Sequence, residues 1–418
     1  MITAVFLSAL ASSATAPPVA APKPIVVTGR AIQEKKTDLR SCVARRCPTD
    51  EDVNATLALA ETQLLAGKYE DARATLLSSL GRNKRHADAY PIPVSDLYRA
   101  NGRVAAHLGI DSDYYRSTWG IYNTLKRGLP SEVDRHYSAM MEVAEMMATT
   151  RGHDRAREYY RSIAHHAREQ GRPDIAALAE LRSIMRHWPA YAREKAIREI
   201  ADSSDPKTRA AQLEARLALA RIAFERNEVP KGEAVVAELR NYGIRKPILI
   251  YAPPWAALGG PANNDTTHAM ENQKDSLGFA SDAGGVPFNA AAIASEQNLR
   301  PVEPTSVRSS FGGRALTATR MPLSVRDMWA DVGFHITPEG KVSDVQILRS
   351  RGDLNWTKAL LTSIAGRRYT APADGAVYKA ERYTYTSGLE AGTGRHALQH
   401  SPTARVEYID LTDLAAPD

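Results

Sequence analysis

The sequence predicts a multidomain protein in which an all-α helical-repeat solenoid is followed by a small α+β domain with the element order β-β-α-β. Two patterns predict this fold class. Between residues 50 and 244, apolar side chains recur every three or four positions, the period of a buried helix face. From residue 321 onward, short alternating apolar runs are separated by turn residues, as expected of strands. With 418 residues, the chain can hold about two to three domains.

Residues 1–20 are predicted to be a secretory signal peptide. An apolar run from Ala4 to Leu10 gives way to small residues and proline, and it is too short to cross about 30 Å of hydrocarbon. Ala14 and Ala16 offer small residues for cleavage. The alternatives are a disordered apolar N-terminus and a misplaced start codon. Export would place the mature chain in the periplasm, either soluble or peripherally associated with a membrane.

The two cysteines, Cys42 and Cys47, lie in a segment that is predicted to be extended, residues 21–49. A close, even pair in an exported chain favours a local disulfide. A zinc site would need two further ligands, and this spacing does not match the Cys-x-x-Cys redox motif. We therefore expect a Cys42–Cys47 disulfide and no bound metal.

Residues 50–244 are predicted to form helix pairs. The clearest unit places small or apolar residues where two antiparallel helices would touch, with a glycine and an aromatic residue at the turn: Thr56, Leu59, Ala60, Gln63, Gly67, Tyr69, Ala72, Leu76 and Leu80. This layout resembles the tetratricopeptide repeat. Later units follow it more loosely. The resemblance implies a short curved solenoid of four to five helix pairs.

Residues 245–320 are predicted to be an irregular linker or wrap. They are dense in Gly, Asn, Asp, Ser and Ala, and they lack sustained periodicity. A short strand is expected only at Ile248–Tyr251. This stretch would therefore separate the helical repeats from the small domain.

Residues 321–418 are predicted to form the small domain, with strands near residues 330–337, 342–349, 377–386 and 404–411 and a helix near 354–367. Its segments follow in the order Met321-Pro322, Val332-Gly333-Phe334-His335-Ile336, Pro338-Glu339-Gly340-Lys341-Val342, Val345-Gln346-Ile347, Ser350-Arg351-Gly352 and Arg367-Arg368-Tyr369-Thr370-Ala371-Pro372-Ala373. This order resembles the C-terminal domain of TonB, the periplasmic energy transducer. The resemblance implies a sheet that accepts an added strand from a protein partner.

Near the N-terminus, the β-branched run Ile25, Val26 and Val27 precedes Thr28-Gly29-Arg30 and favours an extended strand. The segment resembles the extended stretch near the mature N-terminus of TonB-dependent outer-membrane receptors. The resemblance implies pairing with a TonB-like sheet, in the same molecule or in a neighbour. The alternative is a strand that docks on the protein's own surface.

Two groups of aromatic residues are candidate partner-binding positions. Tyr114, Tyr115, Trp119 and Tyr122 gather on one predicted helix, and Tyr383 and Tyr385 lie on a predicted strand of the small domain. Tyrosine and tryptophan are enriched at the energetic centres of protein interfaces. Because aromatic residues at helical spacing also pack between repeats, the inter-repeat core is the alternative for the first group.

Motifs of catalysis are missing from the sequence, which contains no Gly-x-Ser-x-Gly elbow, Walker loop, dinucleotide-binding glycine motif or His-Glu-x-x-His helix. The formal charge of +6 is dispersed rather than gathered in a stripe, which argues against nucleic-acid binding. We therefore expect neither catalytic residues nor a cofactor.

The expected function is that of a non-enzymatic periplasmic or cell-envelope adaptor that binds proteins and is linked to TonB-dependent transport. Its partner would be a TonB-dependent receptor or another envelope protein. One alternative is an envelope enzyme, or enzyme subunit, with a site between the helical domain and the irregular middle region. The other is a purely structural secreted protein.

Overall fold

The computed structural model describes residues 29–150, 152–186, 190–239, 247–253, 328–372, 375–391 and 398–412. Within these ranges the chain has a helix-rich part followed by a small α+β domain with an antiparallel sheet. The α-helices are α1 (Gly29–Ala44), α2 (Thr49–Leu65), α3 (Tyr69–Asn83), α4 (Pro91–His107), α5 (Asp111–Gly128), α6 (Val133–Thr150), α7 (His153–Glu169), α8 (Pro173–Met185), α9 (Glu194–Ala201), α10 (Arg209–Glu225), α11 (Val229–Leu239) and α12 (Thr357–Ala365). This confirms the predicted fold class in its coarse form.

Consecutive helices pack side by side through short turns, as the periodicity predicts. The turn between α2 and α3 contains Gly67 with φ +73°, and the turn between α7 and α8 contains Gly171 with φ +68°. Both glycines therefore adopt the left-handed conformation that commonly ends a helix and that side chains disfavour. No helix in the described part of the chain is long and apolar enough to cross a membrane.

The N-terminal segment differs from the prediction, because residues 29–44 form α1 instead of an extended chain. The segment contains good helix formers such as Gln33, Glu34 and Lys35, and an exposed hydrogen bond from Arg30 to Glu34 at 2.9 Å adds a small contribution. Cys42 and Cys47 form the predicted disulfide, with a Cα–Cα distance of 5.2 Å, at the turn where α1 folds back onto α2. The predicted signal peptide and Ile25, Val26 and Val27 lie outside the described residues.

The small domain contains a four-stranded antiparallel sheet with the strand order β3-β2-β5-β6. Its strands are β2 (Trp329–Ile336), β3 (Val342–Arg351), β5 (Val377–Ala391) and β6 (Leu398–Asp410), which lie close to the predicted positions. A separate two-stranded sheet pairs β1 (Leu249–Tyr251) with β4 (Arg368–Tyr369). Thus the short strand that was predicted near residue 249 forms, whereas residues 254–327 lie outside the described residues.

Both faces of the four-stranded sheet are covered. On one face, α12 packs over Phe334 and Tyr383 to form the core of the small domain. On the other face, Trp329 and Tyr378 join the same hydrophobic cluster as side chains of α2 and α4 such as Leu64. The small domain therefore shares a core with the first helix pairs and is not an isolated module.

Strand β1 ties the small domain to the other end of the helical part. Leu249 belongs to the core under α12. Its neighbours Ile248 and Ile250 pack instead with Phe224 of α10 and Leu239 of α11. Because alternate residues of a strand point to opposite sides, one short segment fills two cores. The small domain thus contacts both the first and the last helix pairs.

Candidate partner-binding surface

Arg382 lies at the centre of the contact between the sheet and α2, and it is 0 % exposed. Its guanidinium donates hydrogen bonds to the carbonyl oxygens of Leu64 and Leu65 at 2.6 and 2.9 Å. It also donates to both carboxylate oxygens of Asp331, at 2.6 and 3.1 Å. The last carbonyls of a helix have no partner within the helix and carry its negative end, so a cation suits this position.

Neighbouring groups reinforce this contact. Burial lowers the pKa of Arg382, because it disfavours the charged guanidinium. The electrostatic interactions with Tyr69 and Asp331 are larger together, and they raise this pKa above its ordinary value. The Tyr69 hydroxyl shares a hydrogen bond of 2.8 Å with the Thr384 hydroxyl. The Trp329 ring lies 4.1 Å from the Arg382 guanidinium carbon. A buried charge in such a network is costly to strip of its partners, so we regard this contact as a permanent part of the fold.

A second buried network lies on the opposite face of β5. Arg367 donates to Glu381 at 2.7 Å and to the Tyr383 hydroxyl at 2.6 Å. The Tyr408 hydroxyl donates to the other oxygen of Glu381 at 3.0 Å, and Lys379 lies 3.7 Å from that oxygen. Burial raises the pKa of Tyr383 and Tyr408 well above the ordinary value, which keeps both phenols protonated as donors. The Glu381 carboxylate is thus surrounded by donors in a structural arrangement.

This network corrects one predicted site residue. Tyr383 is 1 % exposed and its hydroxyl contacts Arg367 and Glu381, so it has no surface for a partner. Tyr385 is half-buried against Trp356, with ring centroids 5.5 Å apart. Sequence reasoning missed both ionic networks, although one signal was present. Residues 379–382 read Lys-Ala-Glu-Arg, which places charges on both faces of β5, and neither face is solvent-exposed.

The outer edges of the sheet are unequal. Edge strand β3 pairs with β2 through two register shifts, and Asp344 has φ +55°. Such bulges twist an edge and hinder the addition of another strand. On the other side, β6 pairs with β5 through one register shift, opposite Ser387 and Leu389, and its register from Ala404 to Asp410 contains none. Within the described residues, the more regular outer edge of the sheet is therefore that of β6 between Ala404 and Asp410.

Four aromatic side chains, Tyr115, Trp119 and Tyr122 of α5 and Tyr159 of α7, form what we call the aromatic surface. The Trp119 ring centroid lies 6.4, 5.8 and 6.2 Å from those of Tyr115, Tyr122 and Tyr159. All four are half-buried. Burial, followed by the neighbouring Tyr122, raises the pKa of Tyr159 to about 12. Tyr114 is buried in the core against α4, and the four rings of the aromatic surface pack against that same core while they keep part of their area exposed.

Polar groups border the aromatic surface. The Lys126 ammonium lies 5.4 Å from the centroid of the Tyr122 ring, a cation–π geometry. Arg116, on the same helix, keeps 74 % of its side chain exposed and pairs with Asp113. The Trp119 indole nitrogen is buried and has no hydrogen-bond partner in the described part of the chain. An apolar centre with a charged rim is the usual anatomy of a protein interface.

The cysteine region offers no metal centre. Cys42, Cys47 and Glu51 bring potential ligand atoms within 4.8 Å of one another, the one such group among the described residues. Both sulfur atoms are joined in the disulfide, and metals bind the thiolate form.

Comparison with known proteins adds no further assignment, since no protein-family model and no curated protein matches this chain.

Proposed function

We propose that this protein is a non-enzymatic adaptor of the cell envelope that binds a protein partner through the aromatic surface. The observation that carries the proposal is the cluster of four half-buried rings around Trp119, on two helices of a scaffold that is closed by its own small domain. Tyr and Trp provide large contact areas at little cost in side-chain entropy, and they dominate the energetics of interfaces.

The periplasmic location and a link to TonB-dependent transport belong to the same proposal. They rest on the predicted signal peptide and on the resemblances to TonB and to tetratricopeptide repeats. A strand-accepting role of the small domain would use the outer edge of β6, because its regular register from Ala404 to Asp410 leaves an evenly spaced row of backbone groups. The rigid scaffold would then hold two contact regions in a fixed relation.

The proposal is tested with the full-length protein as bait against an envelope extract of its source organism. The bait is compared with Tyr115→Ala and Trp119→Ala, and with Tyr90→Ala, a half-buried tyrosine before α4 that serves as the matched control. We expect one protein to be recovered by the wild type and the control but not by the two surface variants.

Once that protein is purified, its affinity should fall at least tenfold for Trp119→Ala, since a hot-spot truncation removes more than about 1.4 kcal/mol of binding free energy. Circular dichroism must show that every variant is folded. Equal affinity for Trp119→Ala and Tyr90→Ala would refute the assignment of the partner site to the aromatic surface.

A further inference from the structure

A pocket of 220 Å³ lies between α7, α8 and the start of α9. Three arginines of α7, Arg157, Arg161 and Arg168, line one wall. At about 100° per residue they occupy an arc of about 40° on the helix, whereas Tyr159 lies on the far side. The pocket and the aromatic surface therefore use opposite sides of α7.

The lining of the pocket is strongly basic. Arg193 joins the three arginines of α7 from the segment before α9, and Glu180 of α8 is the one acidic residue among the described residues that line the pocket. Four guanidinium groups and one carboxylate give a formal charge of +3. Such a concentration of one sign in a concave site raises the local concentration of counter-ions.

The internal ion pairs leave part of this charge unbalanced. Arg168 pairs with Glu180, and Arg157 pairs with Asp154 at 3.0 Å. Arg161 and Arg193 form no ion pair with any residue in the described ranges, and both are exposed. Their guanidinium groups therefore remain available to an anion that enters the pocket.

We propose that this pocket binds a phosphate group. The planar guanidinium donates two parallel hydrogen bonds to phosphate oxygens. Two guanidinium groups therefore suit a doubly charged phosphate better than a singly charged carboxylate. The volume is below the range of about 300–1,000 Å³ that drug-sized ligands occupy, so a single phosphate with a few attached atoms fits it. The phosphate can belong to a free compound or to a lipid headgroup.

The test uses the full-length protein and inorganic phosphate. The pocket variant Arg161→Gln/Arg193→Gln is compared with Arg40→Gln/Arg155→Gln, which removes two exposed arginines outside the pocket and so has the same net charge. The thermal midpoint is measured against phosphate concentration at constant ionic strength, because a ligand that binds the folded state raises it by mass action.

We expect the midpoint of the wild type and of the control to rise with phosphate, and the pocket variant to bind at least tenfold more weakly. Flotation with phosphatidylglycerol vesicles distinguishes the two sources. Vesicle binding that the pocket variant loses assigns the site to a lipid headgroup, and phosphate binding without vesicle binding assigns it to a free phosphate compound. An equal response of the two double variants to phosphate would overturn the proposal.

Discussion

Substitution of Gly67 by alanine tests whether the small domain is fixed to the first helix pair. Gly67 lies at the turn between α2 and α3, directly under Trp329 of the sheet. A Cβ atom at this position would lie 2.5 Å from the Trp329 indole nitrogen and 3.0 Å from the adjacent Cε2 atom. Because Trp329 is itself packed against the buried Arg382, it has little room to move away.

Gly171 provides a matched control. It has φ +68°, close to the +73° of Gly67, but no heavy atom of the described residues, apart from its chain neighbours, lies within 4 Å of its hypothetical Cβ. The two turns also share a hydrogen-bond pattern, in which the glycine amide donates to the residue three positions earlier, at 2.8 Å for Gly67 and 3.0 Å for Gly171. Gly171→Ala therefore reports the backbone cost alone.

The expected magnitudes follow from these two terms. A left-handed conformation costs an alanine about 1 kcal/mol relative to glycine, so Gly171→Ala should lower the free energy of unfolding by about that amount. In Gly67→Ala, the overpacking against Trp329 adds about 1 to 3 kcal/mol. The total loss for Gly67→Ala is then about 2 to 4 kcal/mol.

Urea unfolding followed by far-ultraviolet circular dichroism measures both losses, and the slope of the transition shows whether the denatured state has changed. A double-mutant cycle with Trp329→Ala isolates the contact, because Gly67→Ala should cost only about 1 kcal/mol once the indole is removed. Equal losses for Gly67→Ala and Gly171→Ala in the wild-type background would refute the docking of the sheet on this turn.

Three further predictions concern buried polar groups. Arg382→Met should lower the free energy of unfolding by about 1 to 3 kcal/mol, since two helix carbonyls lose a donor and Asp331 keeps only its ion pair with Arg349. Arg116→Ala should cost less than about 1 kcal/mol, because its side chain is 74 % exposed. Urea unfolding compares the two. Tyr383→Phe should lower the free energy of unfolding by about 1 to 3 kcal/mol and Tyr385→Phe by less than about 0.5 kcal/mol, because only the first removes a buried hydroxyl from a charged network. Similar thermal midpoints for the two variants would contradict this. Burial raises the pKa of Asp52, but hydrogen bonds from charged and polar neighbours outweigh it and lower the pKa in the folded state. The contribution of Asp52 to stability is therefore present above the unfolded pKa of about 3.9 and is lost as the pH falls through the folded value. Asp52→Asn should flatten the acid limb of the stability–pH curve, and an unchanged slope would count against the assignment.

Local patterns predicted most of the secondary structure. The strand expected at residues 342–349 is observed at Val342–Arg351, and the helix expected at residues 354–367 is observed at Thr357–Ala365. In both segments, the apolar residues that set the period are the ones whose side chains face the core of the small domain. The prediction for residues 29–44 was wrong because the β-branched run before Gly29 was extended into a segment that itself contains good helix formers.

The packing of the two parts on each other could not be predicted in this way. The hydrogen bond from Arg382 to Leu64 joins residues 318 positions apart, and no local period encodes such a contact. Arg382 sits between Glu381 and Tyr383, and a strand with charges at neighbouring positions is normally a solvent-exposed one. Its burial depends on α2 lying above one face of the sheet and α12 above the other.

The contacts at both ends of the helical part decide where a partner can bind. The sheet covers the sides of α2 and α4 that face it, and β1 occupies the ends of α10 and α11. Of these, α2, α4 and α10 are the first helices of their pairs, the side on which a curved array would otherwise offer a groove. Since Arg382 and Asp331 make separation of the two parts costly, a partner cannot enter there without unfolding part of the protein. The proposed partner would therefore use a surface that this packing leaves uncovered, such as the aromatic surface or the outer edge of β6.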